Sequence, residues 1–436
     1  MGDVVERAYR RVVRAWCLYD WANSAFATTI MAVVLPTFYS SVAGAGLPPA
    51  RATSYWGYTN SIAMALVAFA APILGAIADH AGSKKRMLGA FASVGVLATA
   101  LLYLVSTGDW LLASVLYVFG RIGFSGANVF YDALLPHVAK PDEIDQVSSA
   151  GYAWGYIGGG LLLAVNLAWI LFPSTFGMAD TEMASRVAFV SVAIWWALFS
   201  IPLFRHVPEP PASRRAHESR RYLRAAFQRL RYTFQHIRQY RELLKFLVAY
   251  WLYNDGVGTI ITMAAIYGAE LGIPSEHLIG AILMVQFVAA PFAFLFGWLA
   301  KNFGTKRSIL LSLAIYGVIS VMGYFVTNTW QFWVLAFLVA TVQGGSQALS
   351  RSLFGAMSPK SRSAEFFGFY DISSKFSGII GPSVFGFVGA AMGSSRYAIL
   401  ALVTLFVVGG YLLSRVDDQH GMVVAAAEDA ASLSPA

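Results

Sequence analysis

Gly75-Ala-Ile-Ala-Asp79-His-Ala-Gly82-Ser-Lys84-Lys85 joins two long apolar runs, and its pattern returns as Gly297-Trp-Leu-Ala-Lys301-Asn-Phe-Gly304-Thr-Lys306-Arg307 between two others. Both copies read Gly, three residues, Asp or Lys, two residues, Gly, one residue, then two cations. The register persists downstream, where Arg121-Ile-Gly123 falls opposite Gln343-Gly-Gly345. A half-length repeat in a hydrophobic chain predicts two structural halves facing a shared cavity, the architecture of a carrier.

Composition agrees. Hydrophobic residues make up 57% of the 436 positions and charged residues only 12%. A soluble chain carries about twice that charged share, so the solvent for most of this chain is lipid. The lone Cys17 rules out an internal disulfide, and no zinc spacing or other metal or cofactor set exists. The net charge of +8 does not imply nucleic acid, because the cations sit in loops between apolar runs.

A spanning helix needs roughly 17–25 apolar residues. Twelve runs qualify: 14–42, 56–78, 87–106, 110–135, 147–171, 187–204, 243–268, 278–300, 308–326, 330–355, 364–391 and 396–414. The expectation is an all-α membrane protein of twelve transmembrane helices in two six-helix halves, 1–204 and 243–416. Loops 79–86, 136–146, 205–242, 301–307 and 356–363 hold nearly all the loop Lys and Arg, which predicts that side and both termini to be cytoplasmic. A disordered cytoplasmic tail is expected over 417–436.

The segment 205–242 is the long loop. Leu223, Phe227, Leu230, Phe234 and Ile237 recur at spacings of four and three, one apolar helical stripe with Arg on the other face. That pattern fits a linker helix touching inner-leaflet lipid, Arg to phosphate and Phe to acyl chain.

Two six-run halves, a basic central loop and paired Gly/Asp/Lys loops resemble the major facilitator superfamily. The first loop looks like its motif A, with His80 where Arg or Lys is usual and one residue added before the basic pair. Leu18-Tyr19-Asp20-Trp21-Ala22-Asn23-Ser24-Ala25-Phe26 and Gln343-Gly-Gly-Ser-Gln347-Ala-Leu-Ser-Arg351-Ser resemble blocks of the Atg22-like (UMF1) vacuole effluxer family. The resemblance implies a secondary transporter, not an enzyme. Amino-acid export is associated with the yeast members, and the compact loops here suggest a bacterial inner-membrane protein.

The resemblance also implies that the first, fourth, seventh and tenth helices line the cavity. Polar and ionisable outliers concentrate there, and each ionisable one needs a partner or a job in lipid. They are Asp20 and Asn23; Arg121, Asn128 and Asp132; Asn254 and Asp255; and the stripe Gln343, Gln347 and Arg351. Arg121 suits a substrate carboxylate, with Asp20 or Asp255 for an ammonium. Alternatively, Arg121 pairs with Asp20 or Asp132 to lock two helices. Asp20 and Asp255 are the candidate proton carriers.

Gly75 and Gly82 suit close helix approach and a tight turn, and Asp79 a charge latch on a helix N-terminus or an Arg. Lys85, Gly297, Gly304 and Arg307 complete the candidate gating set with Asp371 and Lys375, which are four apart and able to pair on their own helix. The reading is a carrier of a small polar or zwitterionic solute, amino acids first, with proton coupling as a hypothesis. The alternatives are a cation-coupled sugar or drug carrier and a non-transporting sensor or scaffold.

Overall fold

A computed structural model describes residues 2–210, 237–392 and 394–433. Helices dominate them, and there is no strand among the described residues. The order is α1 (Gly2–Ala43), α2 (Pro49–Ala81), α3 (Lys84–Leu101), α4 (Trp110–Val138), α5 (Ile144–Leu171), α6 (Thr181–His206), α7 (Arg241–Glu270), α8 (Ser275–Phe303), α9 (Thr305–Tyr324), α10 (Thr329–Met357), α11 (Ser363–Met392), α12 (Ser395–Ser414) and α13 (Asp418–Leu433).

Among the described residues, ten helices are long and apolar enough to cross a membrane, α1–α6, α8–α10 and α12. The other two expected runs, 243–268 and 364–391, lie within α7 and α11, continuous helices of 30 residues each. In hydrocarbon every backbone polar group must be met internally, which helices do by themselves. Hydroxyls follow the same rule: Thr59, Thr99, Ser200 and Ser320 donate to the carbonyl four residues back. Large apolar side chains such as Leu97, Phe119, Phe387 and Val407 stay exposed, as lipid-facing positions should.

The turns use local chemistry. Asp180 accepts from the Met183 N–H to start α6, and Asn328 accepts from the Gln331 N–H to start α10. The two motif loops turn at Gly82 (φ 57°) and Gly304 (φ 92°), conformations that favour glycine.

Three features differ from expectation. The first helix begins at Gly2 rather than near residue 14, and it widens into π-helical turns over Phe26–Val33 and Tyr39–Ala43. The tail expected to be disordered is helical over Asp418–Leu433. It packs on α10 and α7, because Glu428 and Asp429 meet cations and N–H groups that the sequence order hides. The body of the amphipathic linker, 211–236, lies outside the described residues.

Two compact units emerge. One comprises Met1–Ala71, Ser83–Tyr131 and Trp154–Pro210; the other comprises Pro72–Gly82, Asp132–Ala153 and Pro211–Ala436. The ends of α2, α4 and α5 that flank the basic loops 79–86 and 136–146 therefore cluster with the second half of the chain.

Candidate functional site

In the first unit, α1 and α4 pack through aromatic rings. Trp16 stacks on Tyr131 at 4.4 Å and donates its indole N–H to the Tyr131 carbonyl. The Tyr131 hydroxyl donates to Asp20 Oδ2 at 2.8 Å, and Asn23 Nδ2 donates to Asn128 Oδ1 at 2.6 Å. Gly155, Gly158 and Gly159 of α5 lie against Ser24, Trp21 and Thr28, so a methyl at any of them would crowd α1.

Arg121 reaches neither Asp20 nor Asp132. Its Nη1 contacts Met31 Sδ, in the π-helical stretch of α1, and its Nε is buried without a hydrogen-bond partner. No carboxylate among the described residues pairs with it. Widened helical turns of this kind recur at functional sites; here one brings a soft thioether, not an acid, to the guanidinium.

In the second unit, Asp79 of α2 is 1% exposed and accepts the backbone N–H groups of Ala364 (3.2 Å) and Glu365 (2.7 Å). These are among the orphan donors of the first turn of α11, so Asp79 caps that helix from another one. Gly75, one turn earlier, lies on the Ala364 carbonyl. The second motif repeats the backbone contact: Gly297 of α8 lies on Ser149 near the start of α5. It does not repeat the acid. Lys301 is exposed, and Asp145 on α5 instead accepts from Ser352 and Thr305, the latter at 2.6 Å and opening α9.

Gly75→Ala is expected to lower stability by about 1–3 kcal/mol, because its methyl would overlap the Ala364 carbonyl. Gly57→Ala, on the same helix with nothing within 4 Å, is expected to be neutral or to raise stability by up to about 1 kcal/mol through helix propensity. Thermal unfolding of the two variants side by side checks the contrast; equal melting temperatures would remove the close-contact argument.

Arg351 of α10 joins α4 and α5 through several contacts. Its Nη1 pairs with Asp132 of α4 at 3.0 Å, Nε donates to Ser148 Oγ and Nη2 to the Ser148 carbonyl, and the guanidinium lies 4.3 Å over Tyr152. A second cluster sits where α13 meets the turn before α11. Arg362 pairs with Glu365 and Glu428, and also donates to the Tyr240 hydroxyl, which in turn donates to Glu428. Burial, reinforced by Glu428, pushes the Tyr240 hydroxyl above its ordinary range, so it stays a donor. Asp429 accepts the N–H groups of Lys360 and Ser361.

Deeper in this unit, Asp255 is 1% exposed, with Oδ2 accepting the Gly381 N–H at 2.6 Å and Oδ1 buried without a partner. Gly381 permits this approach, since a methyl there would fall on Thr259 Oγ1. Asn254 and Gln347 are half-buried and Gln343 is buried. Asp371 and Lys375 pair on α11 at 3.0 Å.

The remaining expected gating residues hold helix ends. Lys85 Nζ donates to the carbonyls of Phe204 and Val207 at the end of α6, while Glu209 accepts the N–H groups of Lys85 and Arg86. In the second half Lys306 takes that part, meeting the Val416 carbonyl and Asp418, and Arg307 is exposed. Sequence reading missed Ser148, Asp145, Glu365 and Glu428. Only Glu365, three residues after Arg362 at a helix start, carried a local signal.

Helices of this order and length are those of a major facilitator fold. The structure matches the proton:xylose symporter XylE with a TM-score of 0.69 at 16% identity, covering 95% of this chain and 96% of that one. It matches the human organic anion transporter MFSD10 with a TM-score of 0.67 at 13% identity, over 93% and 99% of the two chains. An MFS-type transporter of Bacillus subtilis, YxiO, itself uncharacterised, is 41% identical over 95% of this chain and 96% of its own length. Autophagy-related protein 22 of Coccidioides immitis is 26% identical over 84% of this chain and 72% of its own.

The family model described as vacuole effluxer Atg22-like matches residues 8–426, and the chain belongs to that family. It is an integral membrane transporter of the MFS type.

Proposed function

We propose that the chain carries a small zwitterionic solute, amino acids first, by alternating access between its two six-helix halves, 1–204 and 243–416. The observation that supports this reading is Arg121. An intramembrane cation needs a partner or a job, and this one has a buried, unpartnered Nε and no acid beside it. The helix-lock alternative needs Asp20 or Asp132, and those carboxylates are engaged by Tyr131 and Arg351. A guanidinium offers a planar fork suited to a substrate carboxylate.

With the Lys/Arg-rich loops placed in the cytoplasm, the contacts of Asp79 and Arg351 act as a cytoplasmic latch, with Gly82 and Gly304 turning its loops. Proton coupling runs through Asp255 or Asp20; at Asp255, Oδ1 is left to take up and release a proton. Transport in vesicles that ignored an imposed pH gradient would sink the coupling.

Arg121→Gln is expected to lower the stabilisation of the purified protein by amino acids, since a ligand that binds only the native state raises its melting temperature by mass action. Stabilisation by xylose or a cationic drug that survived the substitution would replace the zwitterion reading with the sugar or drug one.

A further inference from the structure

The Asp371–Lys375 pair lies in the interior of α11, whose body is one of the twelve expected spanning runs. By a rise of about 1.5 Å per residue its members sit roughly 12 and 18 Å from the helix start, and a hydrocarbon core is about 30 Å thick. A helix-internal strut at that depth should satisfy all its polar atoms. This one does not. Lys375 Nζ meets Asp371 Oδ1 at 3.0 Å, yet Asp371 Oδ2 is buried with no hydrogen-bond partner. Among the described residues Lys375 makes no second ion pair. The side chains keep 12% and 15% exposure, so the pair is reachable.

Hydroxyls stand beside it. Tyr250 of α7 stacks on Tyr370 of α11 at 4.4 Å, one residue before Asp371 and four before Ser374. One anion, one cation and neutral hydroxyls thus occupy neighbouring turns of α11 and the facing turn of α7.

We propose that Asp371 and Lys375, with Tyr250 and Ser374, form a second zwitterion-recognition site in which a bound amino acid exchanges partners with the internal pair. Its carboxylate takes Lys375 and its ammonium takes Asp371, including the unpartnered Oδ2. This rests on the zwitterion reading of the substrate. The exchange has a physical logic. In the empty site each charge neutralises the other, which makes both tolerable in lipid. In the loaded site two pairs replace one, and no charge is stranded. A simple cation would take Asp371 and strand Lys375, a simple anion the reverse, and a sugar would break the pair with nothing ionic to offer. The site therefore selects against ions and sugars by the charges they would leave unpaired. An α-amino acid carries its two charges one carbon apart, compact enough to bridge an i,i+4 pair.

The test uses the purified full-length chain, with binding of the proteinogenic L-amino acids read by calorimetry and thermal shift. The methyl ester and N-acetyl forms of whichever amino acid binds are included. Asp371→Asn and Lys375→Gln are each expected to weaken one of two amino-acid binding events by about tenfold or more, the loss of one charged hydrogen bond, and to leave the event that depends on Arg121. The two single-charge derivatives should bind weakly to the unaltered protein. The exchanged double variant, Asp371→Lys with Lys375→Asp, restores the internal pair and should melt near the unaltered protein without recovering binding.

Recovery of binding in the exchanged variant would make the pair a strut and overturn the proposal. So would single variants that bind normally, or that bind normally and lose only pH-driven flux, which would make Asp371 a proton carrier. Binding lost in Arg121→Gln but intact in both single variants would spare the substrate reading and remove this site alone. An unaltered protein that bound no amino acid would overturn both.

Discussion

Arg351→Met is expected to destabilise the protein by about 3–5 kcal/mol, the cost of removing one partner from a buried ion pair. The size follows from what is left behind. Arg351 is 2% exposed and meets Asp132, the Ser148 hydroxyl, the Ser148 carbonyl and the face of Tyr152. Methionine fills similar volume but donates nothing, so a carboxylate and a carbonyl lose their donors in a low-dielectric interior. Adding Asp132→Asn should recover part of the loss, because a neutral amide is cheaper to bury than a charge. Denaturation of the single and double variants in detergent measures the coupling. A loss below about 1 kcal/mol would place this pair with the surface ion pairs that contribute little.

Asp79→Asn is expected to shift the proposed latch toward its open form by about tenfold, because a charged cap on two backbone N–H groups becomes a neutral one with a single acceptor oxygen. The readout is access to Ser363, fully buried at the start of α11. With Ser363→Cys as reporter in a Cys17→Ser background, a membrane-impermeant maleimide should label the Asp79→Asn protein faster. Equal labelling rates would mean that the Gly75 contact and Arg351 hold the latch without Asp79. Because Asn preserves the shape of Asp, a change in rate reports the lost charge and the lost acceptor, not a lost volume.

The two motif copies show what patterning can and cannot carry. Their glycines do the same work in both places, since close backbone approach depends only on the missing side chain. Gly75 lies on Ala364, and Gly297 on Ser149. The charges diverge. Asp79 caps α11, whereas its counterpart Lys301 is exposed and Asp145 serves instead from α5. The basic pairs also trade places: Lys85 clasps the end of α6, while Lys306, not Arg307, clasps the end of α12.

The sequence by itself determined the helical class, the runs long enough for lipid, the repeat and the list of costly intramembrane charges. Each of these follows from local rules: apolar length against bilayer thickness, and the price of an ion in hydrocarbon. Only the tertiary structure decided which charge met which. Arg121 was open to two acids and received neither, because Tyr131 takes Asp20 and Arg351 takes Asp132. The ordered tail was equally hidden, since its Glu428 is held by Arg362 from a distant turn. Pairing between charges on different helices depends on helix rotation and depth. Those are set by packing summed over many side chains, and no local spacing in the chain encodes them.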